Sequence, residues 1–329
     1  MIDDKVLKSF AGKNVLVTGG TGLIGRQVVD LLAGAGARVT IVSLDRLVVD
    51  RRARHVRGDL TDFSFCRRIT AGRDAVCHLA GIKGSAGITS KRLASHFVPT
   101  LMMNTNVLEA CRRHAVPKVV YTSSIGAYQD TDLFVESGYR LDTLPMDFGG
   151  WAKRMAELQI GAYKTEHGME NFAIVRPSNV YGPGDNFDPD NAMVIPSLMC
   201  RIFRKEDPLV VWGDGSAVRD FVYSRDVAEG ILLALYHGTQ GGFVNLGSGR
   251  GISIRELVAT LRGFLEFNYL FDATKPAGYP RRVMDITKAA ETIHYQPTMP
   301  LKDGLRATWD WFIQNRDEFK KKKNYFKEK

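Results

Sequence analysis

Three glycines, Gly19, Gly22 and Gly25, stand at G-x-x-G-x-x-G spacing within Thr18-Gly19-Gly20-Thr21-Gly22-Leu23-Ile24-Gly25. Glycines spaced this way permit a tight turn, close approach of backbone to a pyrophosphate, and tight packing of a helix on a strand. A short Val-rich run, Asn14-Val15-Leu16-Val17-Thr18, precedes them, and helical spacing follows from Leu23 to Leu32. The free N–H groups and positive dipole end of such a helix face the phosphates. The chemistry is dinucleotide binding, with Gly19, Thr21, Gly22, Leu23, Ile24 and Gly25 as the contacting residues. Asp45 follows Gly25 by 20 residues, in Ser43-Leu44-Asp45-Arg46. An acid at that distance accepts hydrogen bonds from the adenosine ribose and favours NAD, whereas the adjacent Arg46 leaves NADP possible. Asp59 in Gly58-Asp59-Leu60 can accept from the adenine amino group or cap a helix, and Leu79-Ala80-Gly81 passes beside the cofactor.

The elements that must hold these residues alternate. Arg38–Val42, His55–Arg57, Ala75–Leu79, Lys118–Thr122 and Phe172–Pro177 read as further short apolar strands, most of them separated by helical stretches. Buried strands alternating with helices imply a parallel sheet covered on both faces. The expected fold is therefore α/β, a Rossmann-type doubly wound parallel sheet with a smaller α/β substrate-binding domain. After Pro177 the pattern loosens, then resumes with a helix over Val227–Tyr236, a strand over Phe243–Leu246 and a helix from Ser253. The expected division is 1–177 for the dinucleotide unit, with 222–249 returning to it, 178–315 for the substrate unit, and 316–329 as a basic tail.

At 329 residues, 44% apolar and 25% charged, the chain is neither disordered nor a disulfide miniprotein. Its four scattered cysteines read as reduced thiols of a cytoplasmic protein, and no run is long and apolar enough to span a membrane. No metal ion is expected. The net charge of +9 is uneven, because residues 316–329 carry seven basic and three acidic residues. The run Lys320–Lys323 reads as a solvated helix end, and no nucleic-acid or membrane partner is expected.

Further segments carry a family resemblance. Thr122-Ser123-Ser124-Ile125-Gly126-Ala127-Tyr128, Lys153-Arg154-Met155-Ala156-Glu157 and Arg176-Pro177-Ser178-Asn179-Val180-Tyr181-Gly182-Pro183 resemble segments of the extended short-chain dehydrogenase/reductase superfamily, in its NAD-dependent epimerase/dehydratase branch. The second half narrows the likeness to GDP-L-fucose synthases, through Gly184-Asp185-Asn186-Phe187, Val194-Ile195-Pro196-Ser197-Leu198, Val211-Trp212-Gly213-Asp214-Gly215, Arg219-Asp220-Phe221 and Lys275–Arg282. The resemblance implies an NAD(P)-dependent nucleotide-sugar epimerase, dehydratase or reductase that moves a hydride at C4 of a GDP-sugar. It implies Ser124 and Lys153 as catalytic residues, with Thr122, Lys153 and Pro177 beside the cofactor. Ser124, Asn179, Val194, Arg219 and Arg282 would meet the substrate. It also implies a homodimer through helices Leu101–His114 and Trp151–Glu166.

The proton-handling positions depart from the pattern. The family's Tyr-x-x-x-Lys reads Gly149-Gly150-Trp151-Ala152-Lys153, and Phe148 lies one residue early without a hydroxyl. The cysteine of the fucose synthases falls at Ile125 or Gly126, and their histidine falls at Met193. Tyr128, Tyr139, His78 and His96 are substitutes for the tyrosine by residue type, and Lys153 itself is another. A catalytically weakened dinucleotide- and sugar-nucleotide-binding protein is the alternative reading.

Overall fold

The structure is a computed structural model that describes residues 2–326. Seven strands form one sheet: β1 (Asn14–Thr18), β2 (Arg38–Ser43), β3 (Arg54–Arg57), β4 (Ala75–His78), β5 (Lys118–Thr122), β6 (Phe172–Pro177) and β7 (Phe243–Leu246). Their spatial order is β7-β6-β5-β4-β1-β2-β3, and every pairing is parallel. The direction of winding reverses between β1 and β4, where the ends of parallel strands leave a crevice for a ligand.

The alternation within β1 shows why both faces are covered. Val15 and Val17 belong to one buried cluster, with residues of α1 (Leu23–Gly34) and with the later helix Ser224–His237. Leu16 joins the opposite cluster, with α2 (Leu93–Arg113) and α3 (Phe148–His167). A period of two along a strand feeds two cores in this way.

The strand Phe243–Leu246 pairs with β6, so the chain returns to the large sheet after leaving it. Elsewhere the second half forms smaller sheets. A four-stranded one runs Ile252–Ser253, Val218–Arg219, Arg281–Met284 and Leu133–Phe134, the last a strand contributed from within residues 1–177. Two short pairs join Asn179–Tyr181 to Phe221–Tyr223 and Leu209–Trp212 to Tyr269–Asp272. The segment of loose pattern contains the helix α4 (Val194–Phe203), and a further helix, α5, spans Leu301–Asn315. Both bury faces in a third apolar cluster.

The basic tail departs from a solvated helix end. Helix α5 stops at Asn315, one tight turn spans Glu318–Lys321, and the chain doubles back over the large sheet. Lys320 and Lys321 are exposed, but the Lys322 side chain is only 17% exposed and Phe326 is buried. Residues 327–329 of the expected tail lie outside the described residues.

Candidate functional site

The glycine turn is built by close approach. A Cβ at Gly25 would stand 2.2 Å from the carbonyl oxygen of Gly19, and one at Gly19 would stand 2.8 Å from the backbone of Ala80. Gly19 also has φ +71°, which favours glycine. Helix α1 is preceded by Gly22, which offers no side-chain cap, so its first N–H groups have no capping side chain. This cradle admits a diphosphate that any larger residues would exclude, so the residues present fit a dinucleotide.

Two cavities adjoin that turn and share Gly19, Gly22, Leu23, Leu79 and Gly81 in their walls. Toward the ends of β2 and β3 a cavity of about 230 Å³ is lined by Gly19, Thr21, Gly22, Leu23, Asp45, Asp59, Leu60, Leu79, Ala80 and Gly81. The Asp45 carboxylate already accepts the Thr21 hydroxyl at 2.6 Å and the backbone N–H of Lys323 at 2.7 Å. Asp59 accepts from Thr61 N at 2.9 Å, while the helix that follows is capped by Asp62, which leaves Asp59 on the cavity wall. Arg46 is exposed and lines no part of the cleft.

The other is a cavity of about 410 Å³ lined by Gly22, Ile24, Gly25, Thr122, Ser124, Lys153, Pro177, Asn179 and Val194, together with His96, Asp147 and Gly149. Lys153 donates to the Thr122 carbonyl at 2.7 Å and lies over the Tyr121 ring, and burial lowers its pKa to about 8. The Thr122 hydroxyl beside it is buried without a partner. Ser124 accepts from Gly126 N at 3.1 Å. Ser123 instead donates to Glu157, which pairs with the buried Arg176, so Ser123 is tied into the scaffold.

The space beside Gly149 is occupied. A Cβ there would stand 2.4 Å from Cε1 of His96 and 3.2 Å from Oδ1 of Asp147. Asp147 caps α3 by accepting from Gly150 N at 2.7 Å. His96 reaches the corner from α2, with Nε2 2.9 Å from the Ile82 carbonyl oxygen. A carbonyl only accepts, so Nε2 carries the hydrogen and Nδ1 is the basic nitrogen. Burial lowers the His96 pKa from its usual value, against the opposing pull of Asp147.

The other substitutes named from sequence lie elsewhere. Tyr128 is buried and donates to Asn245, among Phe134, Tyr139 and Phe243. Tyr139 packs on that same group and on Arg176. His78 is a core residue between Thr18 and Asn104, and burial pushes its pKa down to about 3.

Arg219 and Arg282 stand outside both cavities, paired in register on adjacent parallel strands. Burial lowers the pKa of each, and Arg282 depresses Arg219 further. Nε and Nη2 of Arg282 are buried without a hydrogen-bond partner, its guanidinium lies 3.4 Å over the Tyr279 ring, and neither arginine joins an ion pair among the described residues. Two adjacent cations, one of them with unused donors, suit a diphosphate.

In the sequence His96 stands out only by residue type, and nothing marks Asp147. The i,i+4 rule searches one helix, whereas His96 lies 53 positions before Gly149 and meets it only through the packing of α2 on α3.

Residues 15–247 match the model of the NAD dependent epimerase/dehydratase family. The chain is 30% identical to a dTDP-4-dehydro-6-deoxy-D-allose reductase of Streptomyces bikiniensis, over 92% of this chain and 97% of the relative. It is 28% identical to the GDP-L-fucose synthase of Escherichia coli K12, over 94% and 99%. The solved UDP-glucuronic acid 4-epimerase of Bacillus cereus, in complex with UDP-glucuronic acid and NAD, superposes with a TM-score of 0.78 at 25% identity, covering 92% and 99%. Among the described residues no helix is long and apolar enough to cross a membrane. No cluster of potential metal ligands occurs among them either.

Proposed function

The chain belongs to the NAD-dependent epimerase/dehydratase family, and we propose that it acts at C4 of a GDP-sugar with His96 as the acid/base in place of the usual tyrosine. Its relatives are NAD-dependent sugar epimerases, dehydratases and reductases, and it is an enzyme of that class. One observation carries the reading: the His96 ring fills the space that a side chain at 149 would need. When bound, NAD accepts or returns a hydride.

The protein's own residues then divide the work. Nδ1 of His96 takes the proton of the C4 hydroxyl as the C4 hydride departs, so the C–H bond breaks and a C4 carbonyl forms. A ring whose pKa is lowered by burial is neutral near pH 7 and ready to accept that proton. The carboxylate of Asp147 stabilises the imidazolium that results, as its field on His96 already indicates. Ser124 donates a hydrogen bond to the same sugar oxygen, and Lys153 would hold the cofactor's ribose. The C4 ketone acidifies the neighbouring C–H bonds, which opens epimerisation or elimination. Met193 on the cavity wall brings no proton-transferring group, which argues against the double epimerisation of fucose synthases.

The GDP preference is supported by the second-half motifs and by the fucose-synthase relative, with Asn179, Arg219 and Arg282 gripping the diphosphate. Residues 1–177 with 222–249 form the dinucleotide unit in this reading, and 178–315 the sugar-nucleotide unit. The homodimer belongs to it also. Met102, Met155 and Leu158 are 44%, 43% and 41% exposed on the two helices proposed to pair, so they are not core of the single chain. Light scattering at monomer mass would remove the dimer.

The test is incubation with a panel of GDP-, UDP- and dTDP-sugars in deuterated water, read by mass spectrometry. Conversion or exchange with wild type, and its loss in His96→Gln, is the expected result. If no sugar is converted or exchanged while GDP-sugar affinity persists, the enzyme assignment gives way to a binding protein.

A further inference from the structure

We infer that residues 318–326 are a built wall of the cofactor site, which holds the adenosine-diphosphate half of the dinucleotide and slows its release. The inference rests on the family's cofactor and is independent of the acid/base and of the sugar.

The segment is anchored at both ends. Glu318 pairs with Arg26 of α1 at 2.6 Å, and the two side chains are only 14% and 12% exposed. Arg26 belongs to the first turns of the helix that faces the phosphates. At the other end, Arg92 donates to the Phe326 carbonyl at 2.9 Å. The Phe326 ring is buried against Gly84, where a Cβ would stand 2.9 Å from it.

Between the anchors the chain crosses the mouth of the cleft and binds both of its banks. On the sheet side, Lys323 N donates to Asp45 and Arg46 N donates to the Lys321 carbonyl at 3.3 Å. On the opposite bank, Lys322 Nζ donates to the Gly184 carbonyl at 2.9 Å and Asn324 donates to Asp188 at 3.1 Å. The segment therefore fastens the acid expected to hold the ribose to loops of the second half.

It roofs the site without filling it. The cavity beneath keeps about 230 Å³ between Gly19, Gly58, Asp59 and Leu60 on the floor and Phe319, Lys322, Tyr325 and Phe326 on the roof. Three aromatic residues and one turned-in ammonium match an adenine with its phosphates. Four consecutive lysines in solvent would all point outward to keep their hydration. Here Lys322 alone is drawn in, beside Asp45, Asp185 and Arg26, and burial lowers its pKa to about 8. A buried ammonium with one carbonyl and a carboxylate at 3.7 Å leaves donor capacity that an anionic ligand in the cavity would use.

The test is equilibrium binding of ADP-ribose, which carries the adenosine half without the nicotinamide, with GDP measured in parallel. The full chain is compared with a variant ending at Arg316 and with Lys322→Ala and Glu318→Gln. The expected result is ADP-ribose binding weakened by tenfold or more, roughly, in the shortened chain and by about threefold to tenfold in each point variant, with GDP affinity unchanged. NAD release, followed after gel filtration of the loaded protein, should accelerate in the same order. Unchanged ADP-ribose affinity in folded Lys322→Ala and Glu318→Gln overturns the proposal. Tighter binding on shortening also overturns it, because the segment would then be a plug. No binding of ADP-ribose to the full chain does so too, even where the sugar panel shows turnover.

Discussion

The two ends of the cleft are made differently. At the adenosine end the proposed phosphate cradle rests on backbone: glycines in one unbroken stretch, with approaches a single Cβ would block. The nicotinamide end rests on side chains delivered by separate segments, with His96 from α2, Ser124 after β5, Asp147 before α3 and Lys153 within it. A site made of backbone tolerates no substitution but is written locally. A site made of converging side chains can lack one group, here any side chain at 149, while a neighbouring ring, that of His96, stands in the volume. On the proposed reading, binding and proton transfer are separable.

The sharpest break is Gly25→Val. Its Cβ would overlap the Gly19 carbonyl and lie 2.7 Å from Gly20 Cα, and those atoms are main chain that cannot turn aside. NAD content of the purified protein should fall to background, with a stability loss on the order of 1–3 kcal/mol in thermal unfolding. Normal NAD content would show that the turn is not the phosphate cradle.

At the other end the expectation reverses. His96→Gln should lower kcat by roughly 10²–10⁴-fold, the usual scale for a general acid/base, and leave NAD content intact. Gly149→Tyr should not restore the family's chemistry, because its Cβ would strike the His96 ring. Higher turnover in Gly149→Tyr would mean that the corner is built for tyrosine and that His96 merely packs.

A smaller effect separates sugar-nucleotide binding from both ends. Arg282→Ala removes a buried guanidinium with two unused donors. Loss of a charge-assisted hydrogen bond costs about 1.5–3 kcal/mol, or roughly ten- to a hundredfold in affinity. That loss should appear in titrations with GDP and not with NAD. An equal loss for both would place Arg282 in the scaffold.

The same contrast explains what could be read from sequence. The strands of the large sheet and the glycine turn were legible because each is a local pattern, apolar runs of four to six residues with glycines directly after β1. Ser124 and Lys153 were legible through resemblance and do line one cavity. The places of His96, Asp147 and Lys322 on the cavity walls were not, since each depends on a contact between elements far apart in the chain. The Lys320–Lys323 run shows the cost of reading composition alone. Charge density suggested solvent, whereas two anchors at Glu318 and Phe326 bend the segment onto the cleft.

The smallest effect is a pH profile. Burial lowers the pKa of His96 below its usual 6.5, and that of Lys153 to about 8. Activity should rise with pH as the His96 imidazolium deprotonates, hold near neutrality, and fall above about 8 as Lys153 loses its charge, by about twofold at the midpoint. Stability should move the other way on the alkaline side. Between about 8 and the ordinary lysine value of 10.5, the unfolded chain keeps a proton that folded Lys153 has released, so this residue's contribution rises with pH. Lys153→Met should remove the alkaline limb from the residual activity and flatten the stability change, while His96→Gln should remove only the acid limb. If both limbs survive in both variants, the titrating groups lie elsewhere, and the catalytic end of the cleft is not the corner at Gly149.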